Sequence, residues 1–371
     1  MHHTVIPSGF LELVKMDKVA LSGENVTSVS FVYRSAVILS TFTLAMAVVG
    51  IVENLVIFLA FAMSRKLQTA TNIFLINLGI SQTLVCLVWI FDAAVYLDGK
   101  NWIRSNESCQ VLYALNHNGT FCIALTIMVV ALNRYVLITK GKETYYSVFS
   151  RRNVGCMVTF SWLLPTVTVV IPQVSGSDHA VEYDMSTQRC VYNFDHHKGK
   201  VLALLSATFA TITFLAATLC SYCKIFRHVR QSTRSLESSS SNNQTRRQGN
   251  MELKITKTLF YLICFYYILC VGPAMAVGLA FLVNHGDDKN PEDTPALHIV
   301  ILFCIELVVL NSCVNPVIYG WKHPHLRIVL GCILRRRLRE IPQPSGWLSR
   351  LLGRDHGATQ VTYSLDAVDS R

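Results

Sequence analysis

Long apolar runs separated by short polar connections organise the chain. They extend over 32–63, 72–97, 109–139, 154–172, 201–226, 255–283 and 297–320. Each is near or beyond the roughly 20 residues that an α-helix needs to cross a hydrocarbon core about 30 Å thick. The pattern predicts an all-α membrane protein, a seven-transmembrane helix bundle over 32–320, with the termini on opposite sides. A segment 1–31 precedes the bundle. Beyond it, Leu326, Val329, Leu330, Ile333 and Leu334 share one helical face, and Arg327, Arg335, Arg336 and Arg337 lie largely on another. That spacing predicts a short amphipathic eighth helix on the cytoplasmic membrane surface within 321–339, followed by a tail over 340–371. Between the fifth and sixth runs, Ser238 to Ser241 and the Asn, Gln and Arg residues after them offer nothing to bury and read as a solvated loop.

Composition agrees with the pattern. Only 15% of the 371 residues are charged and 51% are hydrophobic, against about 25% charged in soluble domains. The net charge of +10 is confined to alternate connections and the chain's end: Arg65 and Lys66; Lys140, Lys142, Arg151 and Arg152; then Lys224, Arg227, Arg230, Arg234, Arg246, Arg247, Lys254 and Lys257. Clustering on one side marks that side as cytoplasmic. It also assigns the basic excess to an anionic membrane lipid surface and not to nucleic acid. The opposite connections are mixed or acidic, with Asp178, Glu182 and Asp184, then Asp287, Asp288, Glu292 and Asp293. The expectation is a multi-pass cell-membrane protein with an extracellular N-terminus and a cytoplasmic C-terminus. No cleavable signal pattern follows Met1, so the first helix is expected to serve as the insertion signal. Sequons at Asn25 and Asn106 fall on the outer side, where glycosylation occurs; those at Asn118 and Asn243 fall inside a helix and inside the cell.

Of 12 cysteines, Cys109 and Cys190 lie at or beyond the outer surface, where oxidation favours a disulfide. Cys332 on the amphipathic helix is a palmitoylation candidate, with packing into the interface as the alternative. Charge at membrane depth is costly and rarely kept without a partner or a task. Asp92 in the second run, Asn116, His117 and Thr120 in the third and Glu306 in the seventh outline a polar pocket opening outward. For each alone, interfacial pairing or packing is the competing reading. Glu53 has no evident cation at its depth. No metal-ligand histidine pair, nucleophile elbow or phosphate-cradling loop is present, so neither an enzyme nor a metal or other cofactor is expected. An ion- or proton-coupled transporter using Glu53, Asp92 and Glu306 is the alternative class, although no internal repeat accompanies them.

Asn133-Arg134-Tyr135 closes the third run. Asn311-Ser312-Cys313-Val314-Asn315-Pro316-Val317-Ile318-Tyr319 places amides, a proline and a tyrosine in the seventh, where proline frees a backbone carbonyl and lets the helix bend. Together with Gly50, Asn54, Asn77-Leu78, Cys109, Trp162, Cys190, Tyr222 and Pro273, these residues make Val32 to Leu338 closely resemble the rhodopsin-like family of G-protein-coupled receptors. The resemblance implies that an extracellular ligand shifts a bundle equilibrium and that a heterotrimeric G protein docks near Arg134, with Tyr222 and Tyr319 stabilising the open state. It also implies receptor kinase and arrestin as partners of a tail carrying Thr359, Thr362 and Ser364.

Departures from the family pattern touch the switch. Gln82 replaces the second-helix aspartate and Ile123 a small polar residue, so the family's sodium site is expected to be lost. Asn133 replaces the acidic partner of Arg134, and Leu253 stands where some relatives place a second carboxylate, which implies ligand-free signalling. Val271 and Phe214 replace the sixth-helix tryptophan and the fifth-helix proline. Thr71-Asn72-Ile73-Phe74, Asn133-Arg134-Tyr135 and the seventh-helix string resemble the melatonin-receptor branch and its orphan neighbours. Asn116 stands where aminergic receptors carry aspartate, and Val309 where opsins carry the retinal lysine. The ligand stays open among a small indole-like molecule, a lipid and a peptide.

Overall fold

The computed structural model describes residues 26–98, 106–174, 181–184, 189–192, 197–236, 256–257, 260–261, 263–273, 275–276, 303–304, 307, 309–318 and 323–353. Five long helices run Val26–Met63, Ala70–Asp98, Asn106–Thr139, Arg151–Val174 and His197–Leu236. They are the first to fifth helices below. The fifth, with 40 residues, is about 60 Å long at 1.5 Å per residue, twice a hydrocarbon core. Described parts of the sixth and seventh helices include 263–273 and 309–318.

Burial is inverted relative to a water-soluble protein. Large apolar side chains face outward, with Val52 at 55% and Leu55 at 53% exposed, while Asn54, Asn72, Asn77, Gln82, Asn311 and Asn315 are buried. Among the described residues, Val37–Met63, Asn72–Ala94 and Ser108–Thr139 are long and apolar enough to cross a membrane. Lipid does not reward apolar burial, so such helices associate through close backbone approach and buried polar bonds. Both devices occur here. A Cβ at Gly119 of the third helix would lie 2.6 Å from Val85 Cγ2 of the second, and one at Gly79 2.7 Å from a Phe58 ring carbon of the first. The Asn77 side-chain amide donates to Thr126 Oγ1 at 2.8 Å and Ser161 Oγ at 3.2 Å, while its oxygen accepts from Trp162 Nε1 at 2.8 Å. One asparagine thus ties the second, third and fourth helices. Asn54 Nδ2 donates to Gly50 O at 2.8 Å and to Ser312 O at 3.4 Å, joining the first helix to the seventh.

A short helix, Lys142–Val148, links the third and fourth helices. Between the fourth and fifth, Val181–Asp184 and Arg189–Tyr192 form an antiparallel hairpin with Tyr183 opposite Cys190, packed on the third helix. The all-α bundle thus carries one small β element that helical periodicity does not reveal. In the sixth helix a π-helical turn spans Tyr266–Val271, and the Gly272 N–H bonds to Tyr267 O. Proline at 273 has no N–H to continue the ladder, and the wider turn absorbs the mismatch.

The surface helix runs Pro324–Leu334, capped by His323, whose Nδ1 accepts the Leu326 N–H at 3.3 Å. It stops short of Leu338 because Arg336 takes a left-handed conformation (φ 56°). The buried face holds Leu326, Val329 and Cys332, whereas Leu334 is 77% exposed. Residues 338–353 then fold back onto the connection after the first helix. Arg65 N–H donates to Gln343 O at 2.9 Å, Ser345 N–H to Met63 O at 2.8 Å, and Ser64 Oγ to Pro342 O at 2.8 Å. A six-residue helix, Gly346–Leu351, ends the described chain. Ile341 and Leu348 are buried in the same apolar cluster as the surface helix, and each contributes about 1.5–3 kcal/mol. Together they offset the roughly 1–2 kcal/mol that each of the two left-handed non-glycine residues, Arg336 and Gln343 (φ 46°), costs.

Candidate functional site

Polar and aromatic groups concentrate at two levels of the bundle, one toward Cys109 and one toward Arg134. Near the Cys109 end, Tyr113, His117 and Phe121 recur every four residues and therefore stack along one face of the third helix. The His117 ring lies 6.1 Å from Tyr113 and 5.8 Å from Phe121, at interplanar angles of 25° and 26°. Phe121 meets Phe214 of the fifth helix edge-on at 5.6 Å. Beside this column, Asn116 Oδ1 and His117 Nε2 are buried with no hydrogen-bond partner. Thr120 is half-buried one turn further along.

Asp92 of the second helix is also half-buried. Gly119 lies against Val85, and Asp92 is seven residues further toward the Cys109 end. Its backbone therefore stands about 10 Å above that contact, level with that of Leu112, and because side chains lean toward the N-terminus of their own helix, Asp92 and His117 lean toward each other across this antiparallel pair. Asn116, His117 and Thr120 form one group and Asp92 belongs to its rim. Glu306 lies outside the described residues. Cys109 is disulfide-bonded; Cys190 sits on the hairpin strand that packs against the third helix. Asn106 is the first residue of the third helix, and Asn25 lies outside the described residues. Asn118 is part of helix packing: it donates to Ala114 O at 3.1 Å and accepts from Thr166 Oγ1 at 2.8 Å.

Midway along the bundle, Gln82 and Ile123 are 1% and 2% exposed, and Asn311, Ser312 and Asn315 are buried with them. Gln82 brings an amide where the resemblance expects a carboxylate, and its Nε2 finds no partner, nor does Asn311 Oδ1. An amide carries no charge to offset a cation's dehydration, and Ile123 supplies no ligand atom.

At the other level, Arg134 is 3% exposed and Asn133 fully buried. Asn133 Nδ2 donates to Tyr145 Oη of the short helix at 3.4 Å. Tyr145 packs on Phe149 at 5.4 Å, which meets Phe74 of the second helix edge-on at 6.1 Å. Tyr135 carries Lys224 of the fifth helix over its ring at 5.4 Å, a cation–π contact. The Arg134 charge acts on both Tyr222 of the fifth helix and His323 at the start of the surface helix. Tyr222 is completely buried, its hydroxyl has no hydrogen-bond partner, and its ring packs on Phe260 of the sixth helix at 5.2 Å, tilted by 50°. Burial, then Arg134, then His325 push the His323 imidazole down to about 4. His325 is lowered by burial and by Lys66. His323 is therefore neutral at pH 7 beside a fixed cation.

Pro273 is half-buried behind the π-helical turn, Pro316 is buried with Asn315, and Tyr319 lies outside the described residues. The Cys332 thiol is 9% exposed within the apolar cluster, and burial raises its pKa. Acylation requires it to turn outward. Sequence reasoning missed Tyr145, His323, Lys224 and the Tyr113–Phe121 column. The four-residue recurrence of the column was visible in the sequence; the rest are contacts between distant segments.

Residues 53–319 match the model of the 7 transmembrane receptor (rhodopsin family). The chain is similar to the melanopsin of Homo sapiens, with 25% identity over 312 residues, spanning 79% of this chain and 60% of that protein. It is likewise similar to melatonin receptor type 1B of Rattus norvegicus, with 26% identity over 294 residues, 79% of this chain and 76% of that receptor. The chain thus spans about three fifths of the human melanopsin's length. Its fold is that of the crystal structure of squid rhodopsin: the TM-score is 0.67 at 17% identity, over 88% of this chain and 93% of that one.

Proposed function

This chain belongs to the rhodopsin family of seven-transmembrane receptors, and we propose that it is a G-protein-coupled receptor for a small, flat, neutral aromatic ligand. The carrying observation is the group on the third helix. A column of stacked rings, closed from the side by Phe214, stands beside the unpartnered Asn116 Oδ1 and His117 Nε2. A planar ligand would extend the stacking and give those two atoms a donor and an acceptor. An indole-like molecule fits this description better than a lipid or a peptide. A retinal Schiff base is not available at the opsin position, because Val309 has no amine and is completely buried against Ala47 and Cys86.

In this reading the Cys109 end faces outside, with Cys190 as the disulfide partner, and the Arg134 end faces the cytoplasm. Ligand binding shifts the bundle toward an arrangement in which a G-protein segment approaches Arg134, and differential affinity for that arrangement supplies the driving force. Separation of the fifth and sixth helices breaks the Tyr222–Phe260 contact. The freed Tyr222 hydroxyl then meets the Arg134 side, and the π-helical turn before Pro273 provides the hinge. Asn315, Pro316 and Tyr319 complete the switch in the seventh helix. Kinase and arrestin act on the tail beyond residue 353, at Thr359, Thr362 and Ser364.

A ligand panel read by G-protein dissociation in cells tests this. We expect a response to a planar aromatic compound that His117→Ala weakens at least tenfold and Arg134→Ala abolishes, with surface expression retained. No response from any G protein at confirmed surface expression would overturn the receptor reading.

A further inference from the structure

The segment beyond the surface helix forms a built structure on the lipid-facing side of the first helix. Its strand-like part, Pro342 to Ser345, pairs with Met63, Ser64 and Arg65, and Leu348 is completely buried beneath it. Trp347 Nε1 donates to Ala62 O at 3.0 Å. Ala62 ends the outward stripe of the first helix, whose other members include Val48, Val52, Leu55 and Leu59, all 41–55% exposed. The indole is thus anchored where that stripe stops, the depth at which a bilayer turns from acyl chain to headgroup and at which tryptophan concentrates.

Around Trp347, which is itself 43% exposed, Leu351 and Leu334 are 71% and 77% exposed. Arg335, Arg336, Arg337 and Arg350 are exposed beside them, while among the described residues of 335–353 the one acidic side chain is Glu340, 3.7 Å from Arg337. Apolar tips flanked by arginines that outnumber the acidic charge, continuous with a lipid-facing helix stripe, match an anionic leaflet in both polarity and charge.

We propose that residues 338–352 form an anionic-lipid-dependent clasp. Trp347, Leu351 and Leu334 enter the headgroup boundary, the arginines hold phosphate or carboxylate headgroups, and the clasp pins the surface helix to the base of the first helix. The proposal rests on the reading that the Arg134 end faces the cytoplasm, because that leaflet carries the anionic lipid.

Hydrogen exchange of the full chain in nanodiscs tests it without ligand or G protein. Phosphatidylcholine discs are compared with discs containing phosphatidylserine. We expect amides of 338–352, Ser345 among them, to exchange at least threefold more slowly in the anionic discs. Replacing Arg335, Arg336, Arg337 and Arg350 by Gln should remove that difference, and replacing them by Lys should keep it. Leu334→Ser with Leu351→Ser, which leaves Ile341 and Leu348 packed, should reduce it. Equal exchange of the wild-type segment in the two discs would overturn the clasp, as would a difference that survives in the Gln variant. A chain that fails to activate any G protein yet keeps the lipid-dependent protection would overturn the receptor reading and leave the clasp standing.

Discussion

The approach of the second and third helices can be tested by adding one methyl group. A Cβ at Gly119 would lie 2.6 Å from Val85 Cγ2, 3.3 Å from Ser81 O and 3.7 Å from Leu84 Cδ2. Ordinary carbon contact begins near 3.5 Å, so Gly119→Ala must displace Val85 or the helix itself by nearly 1 Å. Overpacking of this kind costs about 1–3 kcal/mol. Alanine also recovers about 1 kcal/mol of helix propensity, so the single variant should lose roughly 0–2 kcal/mol. Gly155 of the fourth helix supplies the control, since a Cβ there meets nothing within 4 Å and only the propensity gain applies. Val85→Ala removes the opposing methyls. Its own cavity cost is common to both sides of a double-mutant cycle, as is the propensity gain at 119. The cycle therefore isolates the clash, and a favourable coupling of about 1 kcal/mol or more is expected. Thermal unfolding of detergent-purified protein measures it, at roughly 1–2 °C per kcal/mol for a chain of 371 residues. Additivity of the two substitutions within about 0.5 kcal/mol would refute the close approach.

Four further outcomes are expected. Sodium should leave agonist affinity unchanged, and Gln82→Asp should introduce sodium sensitivity; a sodium-dependent loss of binding in the wild type would contradict the reading of Gln82. Ligand-free G-protein turnover should exceed that of untransfected cells, and Asn133→Asp should lower it by giving Arg134 a carboxylate neighbour; turnover at the background level would count against this. His323 is depressed to about 4 from an unfolded value near 6.5, so the unfolded chain binds more protons between those values. Stability should therefore be full above pH 6.5 and decline as pH falls toward 4, and His323→Gln should flatten that decline in a pH series of melting temperatures. Cys332 should react with maleimide at least tenfold more slowly in the folded protein than after denaturation; labelling at the same rate would place the thiol outside the cluster.

The bundle was legible in the sequence because crossing a bilayer is a local demand. Each run must satisfy its own backbone hydrogen bonds and present some 20 apolar residues, so length and composition suffice. Asp92, Asn116 and His117 were legible for a related reason: a polar residue in hydrocarbon is costly wherever it lies, and so announces itself; Gln82, Asn133 and Pro273 gained meaning only from the family resemblance. Level was less legible. Asp92 and His117 both belong to the Cys109 end, but only the Gly119–Val85 contact fixes how far one helix slides along the other and sets the Asp92 backbone more than a turn above that of His117.

The contacts that finish both sites lay beyond the sequence. Tyr145 comes to Asn133 from the short linking helix, and His323 to Arg134 from nearly two hundred residues away. Nothing in 338–353 has the apolar periodicity of a membrane element, and its pairing with Met63 to Arg65 appears only once the surface helix turns at Arg336. The hairpin that carries Cys190 is equally unannounced.

By itself the sequence determined that the chain is a helical membrane bundle, which of its residues carry charge or amides at membrane depth, and which end is basic. Those properties follow from the free energy of placing each segment in lipid, a sum over its own residues. The tertiary structure alone decided which of those residues meet. Helix register, the stacking on His117 and the clasp on the first helix depend on close packing between segments distant in sequence, where one missing Cβ or one left-handed residue selects the arrangement.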